Sequence, residues 1–234
     1  MPRLDRFLSR TLAIKRSDLR LMLARGRIEV DGHRATDSNQ VIRPFSEVRC
    51  DGRIVQARTA HYVMLNKPKG VVSATRDDVH RTVIDLLDAP WKDELHIVGR
   101  LDLNSTGLML LTNDGRWSRA LSLPESKLPK GYRVWVKRTL TSADVEVFRQ
   151  GLYFGYENIT TRPAELRIRG EFEAEVSLLE GRYHQIRRMF AHLGNEVTSI
   201  HRFAVGPLML DAALAPGQSR ELKSTELKTL APWT

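Results

Sequence analysis

The sequence has 234 residues, 41% hydrophobic and 28% charged, enough apolar material for a packed core and a balance that excludes global disorder. A formal net charge of +9 favours polyanionic partners through counterion release. The single cysteine, Cys50, excludes an intrachain disulfide and a multi-cysteine metal site, and apolar stretches such as residues 108–111 fall far short of the ~20 residues that span a bilayer.

The charge is uneven. Residues 1–60 carry 13 Lys and Arg against 7 Asp and Glu, a net of +6, and the rest of the chain carries only +3. A basic module joined to a nearly balanced body is the expected layout. The first residues hold Arg3, Arg6 and Arg10 and no apolar h-region, so no signal peptide is expected, and one cysteine fits a reducing, cytoplasmic setting.

In chain order, Leu4, Phe7, Leu8 and Leu12 form one helical stripe over residues 3–12. A second helix is expected from Ser17, a favourable N-cap, to Gly26, with Leu19, Met22 and Leu23 inward. Ile28 and Val30 then alternate into Asp31-Gly32, a tight-hairpin signal. Residues 53–61 show no sustained period and read as a linker. The predicted limits are a first domain over 1–56, a linker over 57–61 and a second domain over 62–234.

The second domain opens with a strand over residues 62–65, broken by Lys67-Pro68-Lys69-Gly70, and Val71 and Val72 resume extended structure. Residues 83–87 read as a short helix, 107–111 as a buried strand, and the Asn113-Asp114-Gly115 turn leads into a helix through Trp117 and Leu121. Strands are expected around Tyr132, Val134 and Val136, around Ala174, Val176 and Leu178, and over 197–205. Helices are expected over 143–150 and along Ile186, Met189, Phe190 and Leu193, ending at Gly194. The elements mix without regular βαβ alternation, which favours an α+β fold.

The segment Gly99-Arg100-Leu101-Asp102-Leu103-Asn104-Ser105-Thr106-Gly107-Leu108 is a polar loop between apolar approaches. On spacing alone Asp102 either caps a turn or is a desolvated carboxylate kept ionised by Arg100. His184, Arg187 and Arg188, at i, i+3 and i+4, share a face if all three are helical, and that face suits a buried carboxylate, a phosphate or plain solvent. His184 and His201 lack zinc-like spacing, so no metal is expected. Ser105 and Thr106 have no triad setting.

Two resemblances bear on these residues. Residues 3–52, as helix, helix and hairpin, resemble the S4 RNA-binding domain, which implies RNA contacts by Arg16, Arg20 and Arg25, with Lys15 and Arg27 as secondary ones. The loop carrying Arg100 and Asp102 resembles the signature of the RsuA/RluA-type pseudouridine synthases. Residues 62–70 (YVMLNKPKG), Lys130-Gly131-Tyr132, residues 181–190 (GRYHQIRRMF) and His201-Arg202 match that family's further motifs in order. The resemblance implies a small helical and hairpin S4 domain followed by a mixed, largely antiparallel-sheet catalytic domain.

It implies Asp102 as the catalytic residue, supported by Arg100, by Tyr132 beside the target base, and by Arg187, with Arg188 in reserve, as the basic partner of Asp102. Gly131 departs from the bulkier residue expected between Lys130 and Tyr132. The residues 181–190 lie closest to the RsuA branch, which acts on small-subunit 16S ribosomal RNA. The implied partner is therefore that RNA or a small-subunit assembly intermediate, met by a monomer away from membranes and without a cofactor. A 23S ribosomal uridine, a non-catalytic S4-type assembly factor, or an N-glycosidase using Asp85, Asp88 or Asp114 as second carboxylate are the alternatives.

Overall fold

The computed structural model describes residues 1–233, and the chain divides into two compact units, Met1–Ala60 and His61–Thr234. No helix among the described residues is long and apolar enough to cross a membrane.

In the first unit, helices α1 (Leu4–Leu12) and α2 (Arg16–Ala24) precede strands β1 (Ile28–Val30), β2 (His33–Arg34), β3 (Val48–Cys50) and β4 (Arg53–Gln56). Leu4, Leu8, Leu19, Met22 and Leu23 pack against Ile28, Val30, Ile42 and Val48 in a core of this unit's own. The helical stripe is read correctly, but Ser17 is not the cap. Ala13 turns left-handed and Lys15 is extended, so α2 starts one residue earlier and the Ser17 hydroxyl donates to Asp18 instead. Asp31 and Gly32 both hold positive φ (53° and 76°), closing the β1–β2 hairpin. Residues 53–56, expected as linker, are a strand. A second Asp-Gly pair, Asp51-Gly52, also has positive φ at both positions and turns β3 back into β4.

The second unit runs β5 (Tyr62–Lys67), β6 (His96–Val98), β7 (Thr106–Thr112), α3 (Gly115–Ser122), β8 (Lys130–Val136), α4 (Ser142–Gln150), β9 (Tyr153–Phe154), β10 (Ile159–Thr160), β11 (Glu165–Gly170), β12 (Glu173–Leu178), α5 (Gln185–His192), β13 (Val197–Val205), β14 (Leu208–Met209), β15 (Ser219–Glu221) and α6 (Ser224–Leu230). One sheet has the order β11-β12-β8-β13-β7-β5-β15, with β6 added on β7 and β14 on β13. Among its strand pairs β13–β7 is parallel and the others are antiparallel.

Both faces of this sheet are covered, which is why residues 107–111 form an unbroken apolar run rather than an alternation. Val63, Leu65, Met109, Leu111, Val134 and Ile200 pack with Phe148 of α4 and Phe190 of α5. Met64, Leu108, Leu110 and Val205 pack on the other side with Trp117 and Leu121 of α3 and Leu230 of α6. The α+β reading holds.

Residues 83–87 are a turn, not a helix. The Asp85 carboxylate accepts from the Thr82 N–H and hydroxyl, and Val83, Ile84 and Leu87 are buried from a loop. Val72 makes only an isolated bridge with Thr82.

Candidate active site

Residues 99–105 connect β6 to β7, starting at Gly99 with φ 76°. Four groups from elsewhere hold this loop. The Ser73 hydroxyl donates to the Leu101 carbonyl (2.6 Å) and accepts from the Leu101 N–H (3.0 Å). The Gly70 N–H donates to Leu103 O. The Lys67 ammonium donates to the carbonyls of Ser105 (2.8 Å), Pro68 (3.0 Å), Asp102 (3.2 Å) and Leu103 (3.3 Å). Arg202 donates from Nε to Leu108 O (2.7 Å) and from Nη1 to Arg100 O (3.3 Å).

The two cations are unusual. Lys67 is 0% exposed and Arg202 2%, and neither pairs with a carboxylate among the described residues at salt-bridge distance. Burial pushes the Lys67 ammonium down to about 8, with the Asp102 charge opposing and Arg202 adding to the fall. Buried cations bound only by carbonyls and a thioether, the latter Met109 Sδ beside Arg202, create a positive field around the loop.

The parallel β7–β13 pair sets Arg202 opposite Gly107, and the antiparallel β13–β8 pair sets it opposite Tyr132. Tyr132 is buried and lines the cleft. The small residue before it has a local reason. A Cβ on Gly131 would meet the Phe203 ring at 2.8 Å, so that phenyl group occupies the space a larger side chain would need.

On the other wall, the Gln185 side chain is buried, donating to Glu180 Oε1 (2.7 Å) and accepting from the Arg182 N–H (3.0 Å). His184 stands outside α5 as its N-cap, in the left-handed region at φ 48°. Its Nε2 lies 3.6 Å from Asp102 Oδ1, just beyond hydrogen-bond distance. The Asp102 side chain is 37% exposed, half open to the cleft. Asp102, Arg100, Tyr132, His184, Arg187 and Arg202 all line one cleft of about 940 Å³.

Two expectations are corrected here. Because His184 is not helical, it does not share a helical face with Arg187 and Arg188. Arg187 donates to Val197 O at the start of β13 (3.0 Å) and forms no ion pair with Asp102. Arg188 pairs through both nitrogens with Glu157 and lies over the Phe154 ring, fastening the β9–β10 hairpin to α5. The Arg100 side chain is exposed, and its carbonyl is what binds Arg202.

Lys67, Arg202 and His184 were not singled out from sequence as partners of this loop. Lys67 ends a strand otherwise apolar or amide, and Arg202 falls between Ile200 and Ala204 at an inward position of an alternating strand. A charged side chain at a core register is the signal that could have marked both.

In the first unit, Lys15, Arg20 and Arg25 are exposed and pair with no carboxylate among the described residues. Arg27 is held by both oxygens of Asp51, and Arg16 lies 3.7 Å from Asp5. Among the described residues no group of three or more His, Cys, Asp or Glu is placed to hold a metal ion.

A family model described as RNA pseudouridylate synthase matches residues 61–192. A protein of Pseudomonas aeruginosa named ribosomal small subunit pseudouridine synthase A is 46% identical over 226 residues, covering 96% of this chain and 98% of its own length. One of the same name in Escherichia coli strain K12 is 37% identical over 97% of this chain and 99% of its own. A crystal structure of a pseudouridylate synthase superposes with a TM-score of 0.71 at 32% identity, covering 98% of this chain and all of that one.

Proposed function

This chain belongs to the RNA pseudouridylate synthase family, and from that premise we propose that it isomerises one uridine of small-subunit (16S) ribosomal RNA with Asp102 as the catalytic carboxylate. The substrate reading rests on near-full-length relatives named for the small ribosomal subunit. The catalytic reading rests on one observation: Asp102 is the carboxylate on a loop that Lys67, Ser73 and Arg202 immobilise at the mouth of the cleft.

The reaction breaks the bond from ribose C1′ to uracil N1, turns the base, and joins C1′ to C5. The C5 proton leaves and N1 gains one, so no redox partner or external energy is needed. Attack of the carboxylate on C1′, addition to C6 of the base, and proton abstraction from the ribose all demand a carboxylate held still beside the reacting nucleoside. The clamped loop supports that demand directly.

The target base must leave its stack to reach Asp102. Tyr132, which lines the cleft, packs against the extruded uracil. Arg187 and Arg100 support the site by lining the same cleft. The first unit acts as an S4-type RNA-binding module, with Lys15, Arg16, Arg20, Arg25 and Arg27 facing phosphates. The protein works as a cytoplasmic monomer on RNA or a small-subunit assembly intermediate.

The test is chemical mapping of pseudouridine in both ribosomal RNAs from a strain lacking the enzyme, after incubation with wild type or Asp102→Asn. One new site in small-subunit RNA, absent with the variant while RNA affinity persists, is the expected result. A site in large-subunit RNA would overturn the substrate reading, and an active Asp102→Asn enzyme the catalytic one.

A further inference from the structure

Tyr183 is 76% exposed, and its hydroxyl bonds to no described residue. It contributes nothing to the core, yet its ring is ordered by stacking on His184, with centroids 3.9 Å apart and planes within 15°. His184 is itself fixed, by its left-handed N-cap position, by buried Gln185 next to it, and by its contact with Asp102. The result is a preformed two-ring platform on the cleft wall, one face of Tyr183 covered and the other open.

The same cleft carries exposed leucines, Leu103 (37%), Leu123 (41%) and Leu179 (38%). An apolar lip with an open aromatic face suits the flat face of a base better than a phosphate. Extruding the target uridine also leaves its neighbour without a stacking partner, and RNA-binding proteins commonly replace such lost stacking with an aromatic ring.

We infer that Tyr183, backed by His184, is a stacking platform for the nucleotide adjacent to the target uridine. This rests on the pseudouridine synthase reading above. The reacting base must touch Asp102. A base on the open face of Tyr183 lies two stacking distances from the His184 ring whose Nε2 approaches Asp102, so it is the neighbour and not the target. Tyr183 is a positioning residue: it holds the strand so that the extruded uridine stays in the pocket.

The experiment uses the full-length protein and an RNA hairpin carrying whichever uridine the wild type is mapped to modify. The same hairpin is made with an abasic nucleotide on the 5′ or the 3′ side of that uridine. Loss of one base–aromatic stack corresponds to roughly tenfold in affinity. Tyr183→Leu, at an exposed position that leaves the thermal midpoint in place, is expected to raise KM about tenfold with a smaller change in kcat. One abasic RNA should cost the wild type a similar factor and cost Tyr183→Leu less than about twofold, because the partner is already gone. Tyr183→Phe, which keeps the ring, should regain the wild-type penalty for that RNA.

Equal abasic penalties in wild type and Tyr183→Leu on both flanks would overturn the platform, as would a Tyr183→Leu enzyme with wild-type KM. Failure of the catalytic or small-subunit reading is seen separately, in the Asp102→Asn control and in the mapped position. The coupling between Tyr183 and the flanking base is measured on the mapped RNA either way.

Discussion

Gly107 of β7 lies directly across the parallel pair from Arg202 of β13, so close that a Cβ on it would stand 2.2 Å from the Arg202 carbonyl oxygen and 2.8 Å from its nitrogen. Gly107 also holds φ at 104°, where side chains are strained. This close approach, beside the Thr106–His201 pair, joins the strand that follows the Asp102 loop to the strand that carries its clamp.

Gly107→Ala therefore forces β13 away from β7 or β7 out of its conformation. The expected loss is at least about 2 kcal/mol of stability, with loss of turnover, because Arg202 can then no longer reach Arg100 O and Leu108 O. Gly115→Ala, at a position with open space and ordinary φ, should stay within about 0.5 kcal/mol. Urea unfolding of the two variants decides this, and equal midpoints would remove Gly107 from the account.

Lys67 gives a pH signature. Its folded ammonium sits at about 8, pushed down mainly by burial, against 10.5 in the open chain. Between these values the unfolded chain binds a proton that the folded chain lacks, so this group adds stability as pH rises from about 8 towards 10.5, and the gain is absent below 8. The Tyr62 phenol, pushed up to about 12 by burial and its bond to Asp114, acts oppositely above pH 10. It is common to wild type and Lys67→Met and cancels in their difference. Stability differences between the two proteins from pH 6 to 10 should be flat up to about 8 and then climb in favour of the wild type. A flat difference throughout would show that Lys67 titrates normally. Turnover should fall in Lys67→Met at every pH, since the carbonyls of Asp102, Leu103 and Ser105 lose a shared donor.

These two residues also show where sequence reading stops. The strands over 62–65, 107–111 and 197–205 and the α5 stripe were legible because apolar period and Gly positions are local signals. The loop with Asp102 was legible as polar sequence between core strands. Its clamps were not, because Lys67, Ser73 and Arg202 lie 35, 29 and 100 positions from Asp102 and meet it only through the sheet order. The shared face expected for His184, Arg187 and Arg188 failed for a different reason. The i, i+3 rule presumes a helix, and α5 begins only at Gln185, after the left-handed His184. The strand over 53–56 follows a second Asp-Gly turn signal, Asp51-Gly52, equivalent to the one at 31–32, and its mixed polarity hides it from a periodicity argument.

The first unit offers a prediction in salt. Arg20 and Arg25 are exposed and pair with no carboxylate among the described residues, whereas the Arg27 fork is already engaged by both oxygens of Asp51. A cation free in the unbound protein neutralises a phosphate and releases its counterion on binding. One already held by a carboxylate must first give up that partner. Arg20→Ala and Arg25→Ala should each lower the slope of log affinity against log salt by about 0.7 to 1, weakening RNA binding while kcat at saturating RNA is unchanged. Arg27→Ala should change the slope by less than half as much. Filter binding of the mapped RNA across a salt series measures all three. Unchanged slopes for Arg20→Ala and Arg25→Ala would remove these two side chains from the RNA contact, and a larger effect from Arg27 would mean that RNA displaces Asp51.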